Sequence, residues 1–297
     1  MLKIAENVCL ADKTSYRIGG PARYYAEPRS EAEVVEACRF AAEREAPLFI
    51  LGNGSNVLIS DAGFRGIAVN LSKCFSALSW DNATAFVLSG FPLDELAAAA
   101  AERGCAGIEC LSGIPGTVGG AVVMNAGAFD ADVSQTLRSV RALNISANTI
   151  ETVYVKDLNL GYRTSTLKGG GYAVLAATFD FVPGDAARLK SIRDDILAKR
   201  RSKQPVDSPS CGSVFKRPPN GFAGTLIESC GLKGFKVGMA EVSEKHANFI
   251  INTGSAKAED VRAVIRHVQR TVFEKRGILL EPEVIFLGEF QEPLYKS

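Results

Sequence analysis

Apolar residues recur along this chain with two periods, one typical of helices and one typical of strands. Helical spacing is clearest in a long segment that starts near Ser255, where one face collects Val261, Val264, Ile265, Val268 and Val272. Shorter helices are predicted over 32–45, 93–103, 186–201 and 224–230. End signals support two of them, because Ser30 and Glu33 form a capping box and Pro92 and Gly104 bracket the second helix.

Strand-like runs alternate with these helices without a single regular spacing. They cover 24–27, 47–51, 66–71, 85–88, 140–145, 149–155, 172–181, 248–252 and 280–287. No Gly-x-Gly-x-x-Gly opens a helix with an acidic residue about twenty positions beyond it. The pattern therefore predicts an α+β chain with a mixed sheet rather than a doubly wound fold.

Length and punctuation predict more than one domain. A chain of 297 residues exceeds the size that one core usually serves. The stretch Gln204-Pro-Val-Asp-Ser-Pro209 carries two prolines after a predicted helix, which is typical of a connector. We predict that a final domain occupies residues 204–297.

Charge and cysteine content exclude several functional classes. The 34 Lys and Arg residues nearly balance the 33 Asp and Glu residues, so the charge expected of a nucleic-acid binder is missing. The seven cysteines show no Cys-x-x-Cys spacing, which argues against a disulfide framework and a zinc site. Neither a signal peptide nor a membrane-spanning apolar run is found. We expect a cytoplasmic protein without a bound metal, a membrane partner or a nucleic-acid partner.

Two glycine-rich stretches suggest a phosphate-bearing ligand. The first, Gly52-Asn-Gly-Ser-Asn-Val57, follows an apolar run, and the second extends over 113–128. Loops with few Cβ atoms let backbone amides approach an anion closely. Either loop alone could be an ordinary turn, but the pair favours one extended ligand held from two sides.

Three further stretches carry polar residues that packing does not require. They contain Arg163, Ser213 and Glu283. From the residues alone, Arg163 could be a surface ion-pair partner, Ser213 a turn hydroxyl and Glu283 a charge that protects a strand edge. Cys211 has no nearby candidate base, so a nucleophilic role for it is disfavoured.

Seven short motifs lie in order along the chain, from near residue 14 to near residue 288. They are Ser15-Tyr-Arg-Ile-Gly-Gly-Pro-Ala22, Leu51-Gly-Asn-Gly-Ser-Asn-Val-Leu58, Gly113-Ile-Pro-Gly-Thr-Val-Gly-Gly-Ala121 with Asn125-Ala-Gly-Ala128, Gly161-Tyr-Arg-Thr-Ser165, Gly212-Ser-Val-Phe-Lys216, His246-Ala-Asn-Phe-Ile250 and Leu280-Glu-Pro-Glu-Val284. These collinear motifs resemble those of the UDP-N-acetylenolpyruvoylglucosamine reductases, the flavoproteins of bacterial peptidoglycan synthesis.

The resemblance implies a two-lobed FAD-binding domain of the vanillyl-alcohol-oxidase type, followed by a smaller α+β substrate-binding domain. The FAD-binding domain would cover 14–185, with lobes at about 14–71 and 72–185, and the substrate domain 204–297. FAD would be bound non-covalently, and NADPH would be the hydride donor. The implied FAD-binding residues are Gly52, Asn53, Gly54, Ser55, Asn56, Val57, Pro115, Gly116, Thr117, Gly119, Gly120, Asn125, Ala126 and Gly127.

The resemblance also implies a reaction and its catalytic residues. Hydride would pass from NADPH through FAD N5 to the enolpyruvyl β-carbon of the UDP-sugar, which gives UDP-N-acetylmuramate. Arg163 and Glu283 would flank the enolate, and Ser213 would protonate the α-carbon, helped by cations such as Lys216. Tyr162, Lys216 and Arg217 would bind substrate.

Departures from the family pattern refine this prediction. Many relatives carry Arg where this chain has Ile285, and some carry Asn at the position of Arg217, which we expect to take over part of the contact to the anionic substrate. The segment after Arg163 is too short for a long tyrosine-bearing loop, so the short-loop (type II) subgroup is indicated. Separately, we expect a monomer. A flavin oxidase of the same fold and a non-catalytic nucleotide-binding protein are the alternatives.

Overall fold

The computed structural model describes residues 2–219 and 221–295. Its helices are α1 (Glu31–Glu43), α2 (Leu93–Glu102), α3 (Val118–Val123), α4 (Ala186–Lys203), α5 (Ala223–Ser229) and α6 (Ala258–Arg276). Its strands are β1 (Ile4–Cys9), β2 (Pro21–Ala26), β3 (Leu48–Leu51), β4 (Val57–Ile59), β5 (Phe64–Asn70), β6 (Leu78–Asp81), β7 (Thr84–Leu88), β8 (Cys105–Ala106), β9 (Gly127–Ala128), β10 (Ala131–Asp132), β11 (Leu137–Asn144), β12 (Thr149–Tyr154), β13 (Tyr172–Asp180), β14 (Val182–Pro183), β15 (Lys236–Val237), β16 (Ala240–Val242), β17 (Ile250–Asn252) and β18 (Ile285–Leu287).

The chain divides into two compact units that interleave along the sequence. Unit 1 contains residues 2–6, 24–53 and 66–199, and unit 2 contains residues 7–23, 54–65, 200–219 and 221–295. The predicted ranges, 14–185 and 204–297, are continuous, whereas the segments 7–23 and 54–65 group with the C-terminal part. The reason is packing: Tyr16, Ile18 and Leu58 are buried in the same core as the apolar face of α6.

Unit 1 is built on two sheets. The first has the order β1-β2-β5-β3, and α1 buries Val34, Ala37 and Cys38 in the core beside it. The second is an antiparallel sheet in the order β12-β11-β13-β7-β6, whose core includes the buried faces of α2 and α3. Strand β13 is buried on both faces, because Val174 lies in the core with α2 and α3, whereas Ala173 and Leu175 lie in the core with α1.

Unit 2 has one long helix over a small sheet. Strands β15, β16 and β17 pair antiparallel, and β18 pairs parallel with β4. The predicted valine stripe of α6 is fully buried. The helix is capped from a distant segment, since the Asp61 carboxylate accepts from the amides of Ala258 and Glu259 at 2.8 and 3.1 Å.

The helices predicted from end signals at 32–45 and 93–103 correspond to α1 and α2 within one or two residues at each end. Ser30 caps α1 by accepting from the Glu33 amide at 3.3 Å, although the Glu33 carboxylate accepts from the Arg29 amide rather than from that of Ser30. Two elements differ from prediction. The central glycine stretch contains the six-residue helix α3, and the closing strand begins at Ile285, so Glu283 precedes it.

Candidate active site

The first glycine-rich loop follows β3, and its opening residues belong to unit 1. Gly52 lies against Thr117, because a Cβ at residue 52 would come 2.5 Å from Thr117 Oγ1. The Asn53 side chain donates to the Pro115 carbonyl at 3.0 Å. Within unit 1, therefore, residues 52–53 of the first loop contact residues 115–117 of the second.

The rest of the first loop belongs to unit 2. Gly54 has a φ of +61°, and its carbonyl accepts from both the amide and the hydroxyl of Ser15 at 3.3 Å. In the described part of the chain, no residue accepts a hydrogen bond from the amides of Gly54, Ser55 or Asn56. Val57 then opens β4. Three consecutive amides without an intramolecular acceptor suit an anionic group.

The second glycine-rich loop leads into α3 in unit 1. Thr117 caps this helix by accepting from the Gly120 amide at 3.4 Å, and the Gly119 amide donates to the Ser89 carbonyl at 2.8 Å. The first amides of the helix are thus used inside the protein. The amides of Gly116 and Thr117 make no hydrogen bond within the described residues. Contacts to an anion would therefore fall just before the helix.

The segment after α3 is held by the Asn125 side chain. Asn125 is 2% exposed, with a φ of +40°. Its Nδ2 donates to the Gly161 carbonyl and its Oδ1 accepts from the Ser134 amide, both at 3.1 Å. Ala126 and Gly127 follow and are half-buried. The predicted contact of Asn125 to FAD would therefore involve its backbone, since both polar atoms of its side chain are engaged.

Arg163 lies at the tip of a tight turn in unit 1. Gly161 and Thr164 pair across the turn, which leaves Tyr162 and Arg163 at its tip. Arg163 has a φ of +55°, unusual for a residue with a Cβ, and its guanidinium donates to the Gly127 carbonyl at 3.1 Å. It also lies 5.1 Å from the centroid of the exposed Tyr162 ring. This backbone strain is typical of functional loops.

Ser213 lies in unit 2, on a short extended segment that follows Gly212. Gly212 has a φ of +77°, which favours glycine and turns the chain into that segment. Ser213 forms a bridge with Phe249, and the neighbouring Val214 carbonyl accepts from the Glu283 amide at 2.7 Å. The half-exposed Ser213 hydroxyl makes no hydrogen bond to any residue that the structure describes. Unit 2 thus brings Ser213 and Glu283 onto adjacent segments.

The two basic residues that follow Ser213 have different surroundings. Lys216 forms an ion pair with the exposed carboxylate of Glu281, and its amide donates to the Glu281 carbonyl at 2.9 Å. Arg217 is exposed, and its guanidinium lies 4.3 Å from the centroid of the exposed Phe222 ring. A stacked guanidinium beside an exposed ring can bind planar or anionic groups.

A buried thiol and phenol lie beside the Ser213 segment. Cys211 and Tyr16 are buried in the core of unit 2, and burial raises the pKa of the Cys211 thiol to about 12, with a smaller contribution from the Glu283 carboxylate. Burial, together with Cys211, also raises the pKa of Tyr16. The thiol is therefore neutral at neutral pH, which removes the nucleophilic role.

Sequence reasoning gave no role to two residues near these segments. Tyr16 and Asn248 both lie in motifs that carried the family resemblance, but a tyrosine or asparagine in a motif does not reveal which segment it contacts. Asn248 is hydrogen-bonded to residues 33 positions away. The only local signal is a polar residue within the apolar stretch 247–251.

Each unit, taken by itself, has backbone amides that suit a phosphate group. In unit 2 they belong to Gly54, Ser55 and Asn56, and in unit 1 they belong to Gly116 and Thr117. Gly54 and Thr117 are buried residues, where an amide without an acceptor is costly. A phosphate oxygen satisfies such amides, so the residues present fit the predicted cofactor.

Comparison with known families finds two matches, one in each half of the chain. A family described as "FAD binding domain" matches residues 22–153. A second family, described as "UDP-N-acetylenolpyruvoylglucosamine reductase, C-terminal domain", matches residues 204–287. This second match covers the stretches that contain Ser213 and Glu283, which a flavin oxidase of the same fold would leave without a function.

Individual relatives match over nearly the whole chain. A protein from Caldicellulosiruptor bescii named UDP-N-acetylenolpyruvoylglucosamine reductase is 43% identical over 288 residues, which are 96% of this chain and 91% of the relative. One of the same name from a Synechococcus species is 45% identical over 294 residues, 98% of this chain and 94% of the relative. The crystal structure of the reductase from Thermus caldophilus superposes with a TM-score of 0.83 at 33% identity, covering 97% of this chain and 100% of that one.

These matches confirm the resemblance, the α+β fold with its FAD-binding domain, and FAD and NADPH as cofactors. Among the described residues, no helix combines the length and the apolar character that crossing a membrane requires. The chain belongs to the UDP-N-acetylenolpyruvoylglucosamine reductase family, the flavin-dependent oxidoreductases of peptidoglycan precursor synthesis.

Proposed function

We propose that this chain reduces UDP-N-acetylglucosamine enolpyruvate to UDP-N-acetylmuramate, with Ser213 as the proton donor. The observation that carries the proposal is the placement of Ser213 beside Glu283 on adjacent segments of unit 2, with the Ser213 hydroxyl free of hydrogen bonds to described residues. A hydroxyl with no internal partner is available to a substrate. The substrate-binding domain would be residues 204–297, as the sequence predicted.

The glycine loops would hold FAD by its phosphates. In unit 2 the amides of Gly54, Ser55 and Asn56 would be available to a phosphate, and so would those of Gly116 and Thr117 in unit 1. When bound, FAD accepts hydride from NADPH and supplies it to the β-carbon of the enolpyruvyl group. The other residues predicted to bind FAD, which include Gly52, Asn53 and Gly127, would lie near its isoalloxazine ring.

Arg163 and Glu283 would act on the charge that develops in the substrate. Addition of hydride at the β-carbon leaves an electron pair at the α-carbon, which spreads into the carboxylate as an enolate. A guanidinium that is held in place, as Arg163 is by the Gly127 carbonyl, stabilises such charge without reorganising. Glu283 would orient the intermediate from the segment that adjoins Ser213 in unit 2.

Ser213 would complete the reduction by protonating the α-carbon. The new C–H bond takes the hydroxyl proton, the enolate electron pair is consumed, and the serine oxygen is left as an alkoxide that solvent reprotonates. A serine hydroxyl is a weak acid in water, so nearby positive charge must stabilise its anion. Lys216 lies three residues away and would supply that charge, although its ammonium already pairs with Glu281.

The UDP portion of the substrate would be bound by Tyr162, Lys216 and Arg217. Tyr162 offers an exposed ring, and Arg217 offers a guanidinium stacked on Phe222. A planar base and a pyrophosphate are complementary to such groups. Arg217 would take over part of the contact that is lost where Ile285 replaces the arginine of many relatives.

Two half-reactions test the proposal separately. Under anaerobic conditions, NADPH should bleach the flavin absorbance of the purified protein, and only the enolpyruvyl sugar nucleotide should restore it. The Ser213→Ala variant should bleach normally and fail to recover. If flavin-loaded Ser213→Ala recovers at the wild-type rate, Ser213 is not the acid. If the wild-type flavin stays bleached after the sugar nucleotide is added, the substrate assignment is wrong.

A further inference from the structure

Asn248 makes an unusually complete set of hydrogen bonds to the segment that carries Ser213. It is 7% exposed, and its carbonyl accepts from the Val214 amide at 2.8 Å. Its side-chain Oδ1 accepts from the Phe215 amide at 3.0 Å, while Nδ2 donates to the Phe215 carbonyl at 2.9 Å. The side-chain amide therefore pairs with both backbone groups of Phe215, as a neighbouring strand would.

This pairing fixes one edge of the Ser213 segment. The other edge is held by the bonds from Glu283 to Val214 and from Lys216 to Glu281. Loss of the Asn248 side chain would leave that second edge in place, so the segment would stay attached but gain freedom on the Asn248 side. Gly212, with its φ of +77°, is the residue about which the freed segment would turn.

Asn248 is itself oriented by His246. The Asn248 amide donates to His246 Nδ1 at 3.2 Å, which requires that nitrogen to be unprotonated. Burial lowers the pKa of His246, so the ring is neutral at neutral pH and its proton resides on Nε2. The Ser243 hydroxyl accepts from the His246 amide at 3.4 Å. A chain of hydrogen bonds thus runs from Ser243 to Phe215 within unit 2.

We infer that Asn248 is a positioning residue for proton delivery, because it fixes the backbone from which the Ser213 hydroxyl is presented to the α-carbon. The inference rests on the proposed role of Ser213 as the acid. Proton transfer depends steeply on the donor's placement, and a displacement of about 1 Å can cost about 100-fold in rate. Asn248 touches neither cofactor nor substrate in this scheme, so binding of both should be unchanged.

The test compares Asn248→Ala with Asn252→Ala in the FAD-loaded full chain. Asn252 is a matched control, since it is 5% exposed, lies in unit 2 and makes three side-chain hydrogen bonds, to the Tyr16 carbonyl and to the amides of Gly254 and Ala256, where the Asn248 side chain makes two. None of these bonds reaches the Ser213 segment. Both substitutions remove a buried amide of equal size, so a purely structural role predicts equal effects.

We expect Asn248→Ala to bleach with NADPH at the wild-type rate and to keep the wild-type KM for the sugar nucleotide. The recovery of flavin absorbance should slow by about 10- to 100-fold, with a larger solvent deuterium isotope effect, because proton transfer becomes more limiting. Asn252→Ala should recover like the wild type. Equal recovery rates in the two variants, or an unchanged rate and isotope effect in Asn248→Ala, would overturn the inference.

A second variant covers the case in which Asn248→Ala does not fold. Asn248→Asp keeps the volume and the acceptor for the Phe215 amide but loses the donor to its carbonyl, and it should also slow recovery. Wild-type recovery in this variant contradicts the inference. The Ser213→Ala variant, measured in parallel, separates the role of Ser213 from that of Asn248. If its flavin absorbance recovers normally, Ser213 is not the acid. If its recovery is blocked while both Asn248 variants recover normally, only the positioning role of Asn248 is wrong.

Discussion

The Gly54→Ala substitution tests whether the first glycine-rich loop requires a residue without a Cβ at position 54. An ideal Cβ at this residue would lie 2.5 Å from the Lys13 carbonyl oxygen and 2.7 Å from Thr14 Cα. Both atoms belong to the backbone, so no side-chain rotation relieves the contact. The residue also has a φ of +61°, which a residue with a Cβ adopts only with strain.

The expected destabilisation follows from these two effects. The left-handed backbone costs about 1–2 kcal/mol, and displacing closely packed backbone adds about 1–3 kcal/mol. We therefore expect Gly54→Ala to lower the free energy of unfolding by about 2–5 kcal/mol. The displaced loop also moves the amides of Gly54, Ser55 and Asn56, so the affinity for FAD should fall.

Gly231→Ala is the matched control. Gly231 follows α5 in the same unit with a φ of +74°, and a Cβ there would meet nothing within 4 Å. The Gly231→Ala variant should therefore lose only about 1–2 kcal/mol of the free energy of unfolding and keep its bound flavin. Urea unfolding and a fluorescence titration with FAD measure the two quantities. The reasoning is refuted if the two variants lose equal stability and bind FAD equally well.

Three further substitutions separate other roles. Burial raises the pKa of Cys211 to about 12 from 9.0, so unfolding releases a proton and stability should fall as pH rises from 9 to about 12. In urea unfolding, the Cys211→Ser variant should lose stability less steeply with pH than the wild type, by at most about 1.4 kcal/mol per pH unit. An unchanged slope would contradict the raised pKa of Cys211. Asn125→Ala should keep its FAD and lower turnover, because it frees the Gly161 turn that carries Arg163; loss of FAD in a folded protein would show a direct cofactor contact instead. Arg163→Lys should lower kcat by about 10- to 100-fold with flavin reduction by NADPH unchanged, and wild-type kcat would exclude a role in charge stabilisation.

The elements that the sequence predicted well are those whose signals are local. The α6 stripe repeats every three or four residues, and Pro92 and Gly104 mark the ends of α2, so periodicity and end signals were sufficient. The helix α3 was missed because Val118-Gly-Gly-Ala-Val-Val123 is short and contains two glycines, which favour turns. Its stability comes from the Thr117 cap and the buried faces of Val118 and Val122.

The arrangement of the candidate site was less predictable, because its contacts join distant segments. Family motifs identified Ser213 and Glu283, yet nothing in their spacing shows that the Val214 carbonyl accepts from the Glu283 amide. The grouping of residues 54–65 with the C-terminal part has the same origin, since β4 pairs with β18. Such pairings depend on tertiary packing that no local pattern encodes.

The unpaired amides connect the glycine loops to function more directly than their composition does. Glycine-rich turns usually satisfy their own backbone groups, as Gly119 does through the Ser89 carbonyl. The amides of Gly54 and Thr117 differ, because both residues are buried and neither amide has an acceptor among the described residues. Leaving such a donor unsatisfied costs about 1–3 kcal/mol, and a bound phosphate removes that cost. The fold therefore keeps local instability at these positions, and under the proposed placement of the FAD phosphates cofactor binding would convert it into affinity.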